Sequence, residues 1–196
     1  MSVNLIDVTM DVTAVVCTIP PRAKRLRAAL ASIAMQTVQP AGIVVEYDHH
    51  RTGAAATKNR ALARVSTPWA AWLDDDDVWF PNHLDVCVLA AHESGADVVY
   101  PWPQMQGAPD LRPDRFGQPF DPVALRRENY IPTTALFRAD LAREVGGFQC
   151  VPGTSYDDWG LWLAMLDAGA TFHHVPVKTW EYRHAGQNTS GRPDAW

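Results

Sequence analysis

Thiols are scarce in this chain and poorly spaced. The three cysteines, Cys17, Cys87 and Cys150, lie far apart, each within an apolar run (VVCTI, DVCVL, GFQCV). This excludes a paired zinc motif and a disulfide framework, and suits buried thiols in a reducing compartment. Long apolar runs are missing too. No window reaches the roughly 18 uninterrupted apolar residues of a spanning helix, and the N-terminal MSVNLIDVTMDVT has neither the basic nor the apolar region of a secretory signal. The expectation is a soluble, cytoplasmic protein with no membrane span. Positive charge is in deficit, with 17 basic residues against 22 acidic ones and a net charge of -5. That balance leaves no electrostatic footprint for nucleic acid or an anionic membrane, so a polyanionic ligand must be met by a local basic cluster or a metal ion.

Internal repeats and low-complexity tails are also absent. What the chain has is apolar content, 47% of 196 residues, enough to bury one substantial core. Val12 to Ile19 is a β-branched run of strand length ended by Pro20-Pro21. RAKRLRAALASIAMQT then places Leu26, Leu30, Ile33 and Thr37 at helical spacing, with Pro40 and Gly42 beyond its end. Ile43 to Tyr47 reads as a second strand, AAATKNRALARV as a helix, and Trp69 to Leu73 as a third strand. This β-α-β-α-β order implies parallel pairing and an α/β fold in one domain. Pro81 is placed to open a helix ending at Gly95, and Asp97 to Trp102 resembles a fourth strand. Pro101 to Pro122 is dense in Pro, Gly and Gln and reads as a long functional loop. From Ile131 the apolar pattern resumes. RADLAREVGGF reads as a short helix, DDWGLWLAMLDAG as an amphipathic one, and TFHHVPVKTWEY as a final strand.

Ligands of an open parallel sheet sit outside the carboxyl ends of its strands. Four polar clusters fall there: TIPPR, EYD, DDDD and, further along, YDDW. Asp74 to Asp77 repel one another and raise each other's pKa unless a cation or water offsets the charge. A solvated turn capping the next helix is one reading. The position directly after a buried strand favours a hard cation, Mg2+ or Mn2+, held by few carboxylates and by substrate phosphates. GAAATKNRAL offers Gly53, a helix N-terminus, Lys58 and Arg60 to a diphosphate. Arg22, Lys24, Arg25 and Arg27 crowd the first turns of a helix, where the macrodipole disfavours cations, which points to an anion nearby. Asp157 and Asp158 precede an amphipathic helix, as N-caps or as a general base. Of the eight tryptophans, Trp72, Trp159 and Trp162 follow the apolar pattern and read as core.

In order, VVCTIPPRAKRLRAALASIAMQTVQPAGIVVEYD, GAAATKNRALARVSTPWAAWLDDDDVWFPNHL, ALFRADLAREVGGF, YDDWGLWLAMLDAG and YRHAGQNTSG resemble the family 2 glycosyltransferases of GT-A fold. The resemblance implies a three-layer α/β/α sandwich with a mostly parallel sheet over residues 1–196, with a nucleotide-binding half (12–100) and an acceptor-side half with the tail (101–196). It implies inverting transfer of a sugar from a nucleotide-diphosphate donor, UDP-sugar by family frequency, to a hydroxyl acceptor on a glycan, protein or small molecule, aided by Mn2+ or Mg2+. Carried over by position, Thr18, Pro20 and Arg22 line the nucleotide pocket, Glu46 or Asp48 meets the base or ribose, and Gly53, Lys58 and Asn59 serve the donor. Asp74 and Asp75 lie near the ribose and sugar. Asp76, with Asp74 and His184, falls at the metal, and Asp158, beside Asp157, at the catalytic base. Asp77 lies beyond the motif and is expected to cap the helix near Pro81. The family's usual Ala-Arg-Asn is Thr57-Lys58-Asn59 here, and its acidic pair is Glu46-Tyr47-Asp48. Rival readings are a sugar-phosphate nucleotidyltransferase, disfavoured because TIPPRAKR has no glycine, a metal-dependent phosphohydrolase or nuclease, and a non-catalytic nucleotide-sugar or glycan-binding module. A homo-oligomer remains open.

Overall fold

The computed structural model describes residues 11–106, 116 and 118–183. The β-branched run forms β1 (Val12–Thr18), and Pro20–Arg22 make a 3-10 turn leading into α1 (Ala23–Ala34). Then come β2 (Gly42–Tyr47), α2 (Ala54–Ala63) and β3 (Trp69–Asp74). β1 pairs in parallel with both β2 and β3, so Thr18, Tyr47 and Asp74 end their strands on one edge. The remaining elements are β4 (Val78–Trp79), α3 (His83–Ser94), β5 (Val98–Gln106), α4 (Pro122–Leu125), β6 (Leu136–Arg138), α5 (Ala139–Glu144), α6 (Asp157–Asp167) and β7 (Phe172–Arg183).

The seven strands form one sheet in the order β2-β1-β3-β6-β5-β7-β4. β6 slips between β3 and β5 antiparallel to both, and β4 runs antiparallel to β7. β5 and β7 pair in parallel, so the sheet is mixed but mostly parallel. Side chains alternate across each strand, and both faces are covered. Val15, Trp72, Val98 and Tyr100 pack with α2, α5 and α6, while Ala14, Val16, Leu73 and Val99 pack with α1 and α3. The result is the expected three-layer arrangement.

Three local readings change. β5 continues through Pro101 and Pro103 to Gln106, inside the expected loop, because irregularities in its pairing with β7 fall at those prolines. The four-residue α4 was not legible: Asp121 caps it, accepting from the Val123 and Ala124 N–H groups. Cys87 is buried as expected, but Cys150 is exposed, lying in the loop before α6 rather than in an element.

Candidate active site

The carboxyl ends of β1 and β3, the N-terminal turns of α1, α2 and α6, and the end of β7 surround one cleft. Arg22, Lys58, Asp74, Asp75, Asp76, Asp157 and Asp158 line it together with Cys17, Ala54, Thr133, Ser155, Tyr156 and Tyr182. Residues 58 and 158 are remote in sequence and meet only because α2 and α6 share a face of the sheet.

Each aspartate of the tetrad has its own neighbour. Asp75 is nearly sealed and doubly held: Thr18 Oγ1 donates to it at 2.6 Å and Arg22 Nη1 at 3.0 Å. Asp76 receives Arg25 Nη1 at 3.4 Å and has Arg22 Nη1 at 4.0 Å. Asp77 is buried and accepts the Arg183 N–H at 2.8 Å, tying the end of β7 to the acidic turn. It does not cap α3. The Leu84 N–H there donates instead to Gln36 Oε1, at 2.9 Å. Two of the four cations at the start of α1, Arg22 and Arg25, thus have their anion within the chain: it is the tetrad itself.

Burial, more than the facing Lys58 can offset and with Asp76 and Asp75 adding repulsion, pushes the Asp74 carboxyl up to about 7. Burial and neighbouring carboxylates also push Asp76 and Asp77 up. Burial opposes the Lys58 ammonium, but Asp157, Asp74 and Asp158 outweigh it and hold it above its ordinary range. Lys58 Nζ donates to Asp157 Oδ1 at 2.7 Å and lies over the Phe148 ring, 5.3 Å from its centroid. Asp158 accepts from Asn129 Nδ2 at 3.0 Å, Thr133 Oγ1 at 2.9 Å and the Trp159 N–H at 2.8 Å. Burial raises its carboxyl, which Lys58 only partly counters. Neither acid is an N-cap; Tyr156 holds that position without a side-chain bond.

Other expected donor residues have structural partners. Glu46 is held by Arg60 at 2.9 Å and Arg64 at 2.7 Å, which hold its carboxyl below its ordinary range despite partial burial. Asp48 accepts from the Thr52 N–H and hydroxyl and the Gly53 N–H, and these bonds outweigh burial and lower its pKa. Asn59 exchanges two hydrogen bonds with the Phe148 backbone, at 2.9 Å and 2.8 Å. Pro20 opens the 3-10 turn that carries Arg22 to Asp75. His184 lies outside the described residues. Arg25, Thr133 and Asn129 escaped the sequence reading of the site. Arg25 was visible only as one of four basic residues, and no local pattern marks the other two.

The carboxylate set fits a hard divalent cation. Asp74 and Asp76 line one cleft, burial and neighbouring carboxylates raise both despite Lys58 beside the one and Arg22 and Arg25 beside the other, and Cys17, the only thiol lining it among the described residues, is pushed up by burial and unsuited to ligation. Among the described residues no three His, Cys, Asp or Glu side chains gather closely enough to hold an ion unaided. Mg2+ and Mn2+ sites of this kind are completed by substrate phosphates and water.

The model of glycosyl transferase family 2 matches residues 22–146. The chain belongs to this family. The fold agrees with solved glycosyltransferases of GT-A type. S. aureus TarS 1–349 superposes with a TM-score of 0.72 at 16% identity, over 91% of this chain and 61% of TarS 1–349. A second TarS structure is a complex with UDP-GlcNAc, at TM-score 0.71, 14% identity, and 90% and 60% coverage. The mannosyltransferase PcManGT of Pyrobaculum calidifontis, in complex with GDP-Man and Mn2+, matches at 0.64 and 16%, over 86% of this chain and 55% of its own. The family 2 chain therefore spans about three fifths of the TarS 1–349 structure. No curated protein matches in sequence.

Proposed function

We propose that this family 2 chain transfers a sugar with inversion from a nucleoside-diphosphate sugar to a hydroxyl acceptor. The observation that carries the reading is Asp158, fixed by Asn129, Thr133 and the Trp159 N–H in the same cleft as Asp74 and Asp76. A carboxylate raised by burial and oriented by donors is suited to take a proton from an acceptor hydroxyl as it attacks the anomeric carbon. Asp157, pinned by Lys58, positions the start of α6 rather than acting as the base. Thr18, Pro20, Arg22 and Asp75 form the nucleotide side. Asp76 and Asp74 would hold Mn2+ or Mg2+, with His184 as a further candidate. When bound, the ion supplies positive charge to the departing diphosphate. Uridine is the favoured base because the TarS structures hold UDP and UDP-GlcNAc, while PcManGT holds GDP-Man.

The test is a screen of nucleotide sugars, with Mn2+ and Mg2+, for thermal stabilisation and for release of nucleoside diphosphate. At least one donor should raise the melting temperature only with metal. Asp158→Asn should keep that shift and lose transfer by about 100-fold or more. Transfer retained by this variant would remove Asp158 as the base. Asp76→Ala should abolish the metal-dependent part of donor binding.

A further inference from the structure

The four acidic side chains of the tetrad differ in how firmly they are held. Asp75 has donors on both oxygens, and its side chain and that of Arg22 keep only 3% and 18% of their surface. Asp77 is locked onto a backbone N–H. The Arg25–Asp76 pair is different: it is long, at 3.4 Å, from a side chain still 28% exposed, and Arg22 Nη1 stands 4.0 Å from the same carboxylate oxygen. A long, partly exposed ion pair of this kind is weak and readily exchanged.

We propose that Arg25 is an exchange residue: it neutralises Asp76 in the empty cleft, gives that carboxylate up to the divalent cation, and then pairs with the donor's diphosphate. The inference rests on the transferase reading above. Arg25 projects from the first turn of α1 and reaches the cleft through Asp76, which lines it. Its planar fork suits a diphosphate oxygen pair. Arg22 cannot take this part, since releasing it would leave Asp75 sealed with an uncompensated charge. Cation and diphosphate then bind synergistically. The cation alone must displace Arg25, and the diphosphate alone finds Arg25 occupied. Each removes the other's obstacle, a reciprocal coupling.

Mn2+ titration of the full chain without nucleotide, followed by the electron paramagnetic resonance signal of free Mn2+, tests this directly. Arg25→Met should bind Mn2+ about fivefold or more tightly than the unaltered chain, whereas Arg25→Lys, which keeps the charge, should stay close to it. With UDP and GDP added in parallel, the gain in Mn2+ affinity that the nucleotide brings should shrink in Arg25→Met by a similar factor. Unchanged or weaker Mn2+ binding by a folded Arg25→Met, while the unaltered chain binds, overturns the exchange role and leaves the transferase reading standing. Absence of Mn2+ binding by every variant, with or without nucleotide, overturns both.

Discussion

Lys58 shows how much one residue depends on its surroundings. In sequence it is a cation on a helix, suited to a phosphate. In the fold it is the buried partner of Asp157 and a positive charge that partly offsets the burial of Asp74. Lys58→Met should therefore destabilise the protein by about 3–5 kcal/mol, because it strands buried carboxylates rather than removing a surface charge. Urea denaturation measures this; a loss below about 1 kcal/mol would mean the carboxylates are solvated. His83 is the other residue whose charge state the fold dictates. It is fully buried, stacked on Trp79 and bonded through Nδ1 to Thr179, and burial pushes its pKa down to about 3.

At the scale of elements, α6 carries both candidate acids and is docked tightly. Trp159 Nε1 donates to the Leu125 carbonyl at 2.7 Å and Trp162 Nε1 to that of Ile131 at 3.1 Å, so the helix also fixes the segment bearing Asn129 and Thr133. Trp162 packs edge-on against Phe137, and Phe137 stacks with Trp72 in the core beneath. Gly160 makes the docking possible, since a Cβ there would stand 1.6 Å from the Gln149 carbonyl oxygen. Gly160→Ala should lower stability by about 1–3 kcal/mol and displace Asp158 with the helix. Thermal denaturation should show the loss, and a donor-hydrolysis assay a fall in kcat larger than any change in KM. An activity equal to that of the unaltered chain would show that α6 can shift without moving the acid.

For the molecule as a whole, stability should respond to pH in two opposite senses. His83 is neutral when folded and titrates near its ordinary value when unfolded, so the unfolded chain binds more protons between about pH 6.5 and 3 and stability falls across that window as pH drops. Asp74 has the reverse sign: raised to about 7, it is penalised as an anion in the metal-free fold, and lowering the pH from about 7 toward 4 relieves the penalty. Between about pH 4 and 6.5 the two contributions largely cancel, so these groups leave the metal-free protein's stability nearly flat there, falling above about pH 6.5 as Asp74 ionises and below about pH 4 as His83 counts alone, and Mn2+ should stabilise it more at pH 8 than at pH 6, because a cation replaces the proton. Melting temperatures across this range, with and without Mn2+, check both limbs. Much of this architecture was legible beforehand. Strand runs, helix spacing and prolines announced the parallel β1–β3 core, and the acidic tetrad announced the edge where the cleft lies, because these signals are local. The antiparallel β6 was not, since three residues carry no period and the strand is defined only by its neighbours β3 and β5. Likewise the sequence by itself determined that carboxylates gather after β3. Only the tertiary structure decided which are engaged, giving Asp75 to Thr18 and Arg22, Asp77 to Arg183 and Asp158 to Asn129 and Thr133. The physical reason is that a charge is satisfied by whatever the fold brings within about 3 Å, and sequence distance carries no record of that.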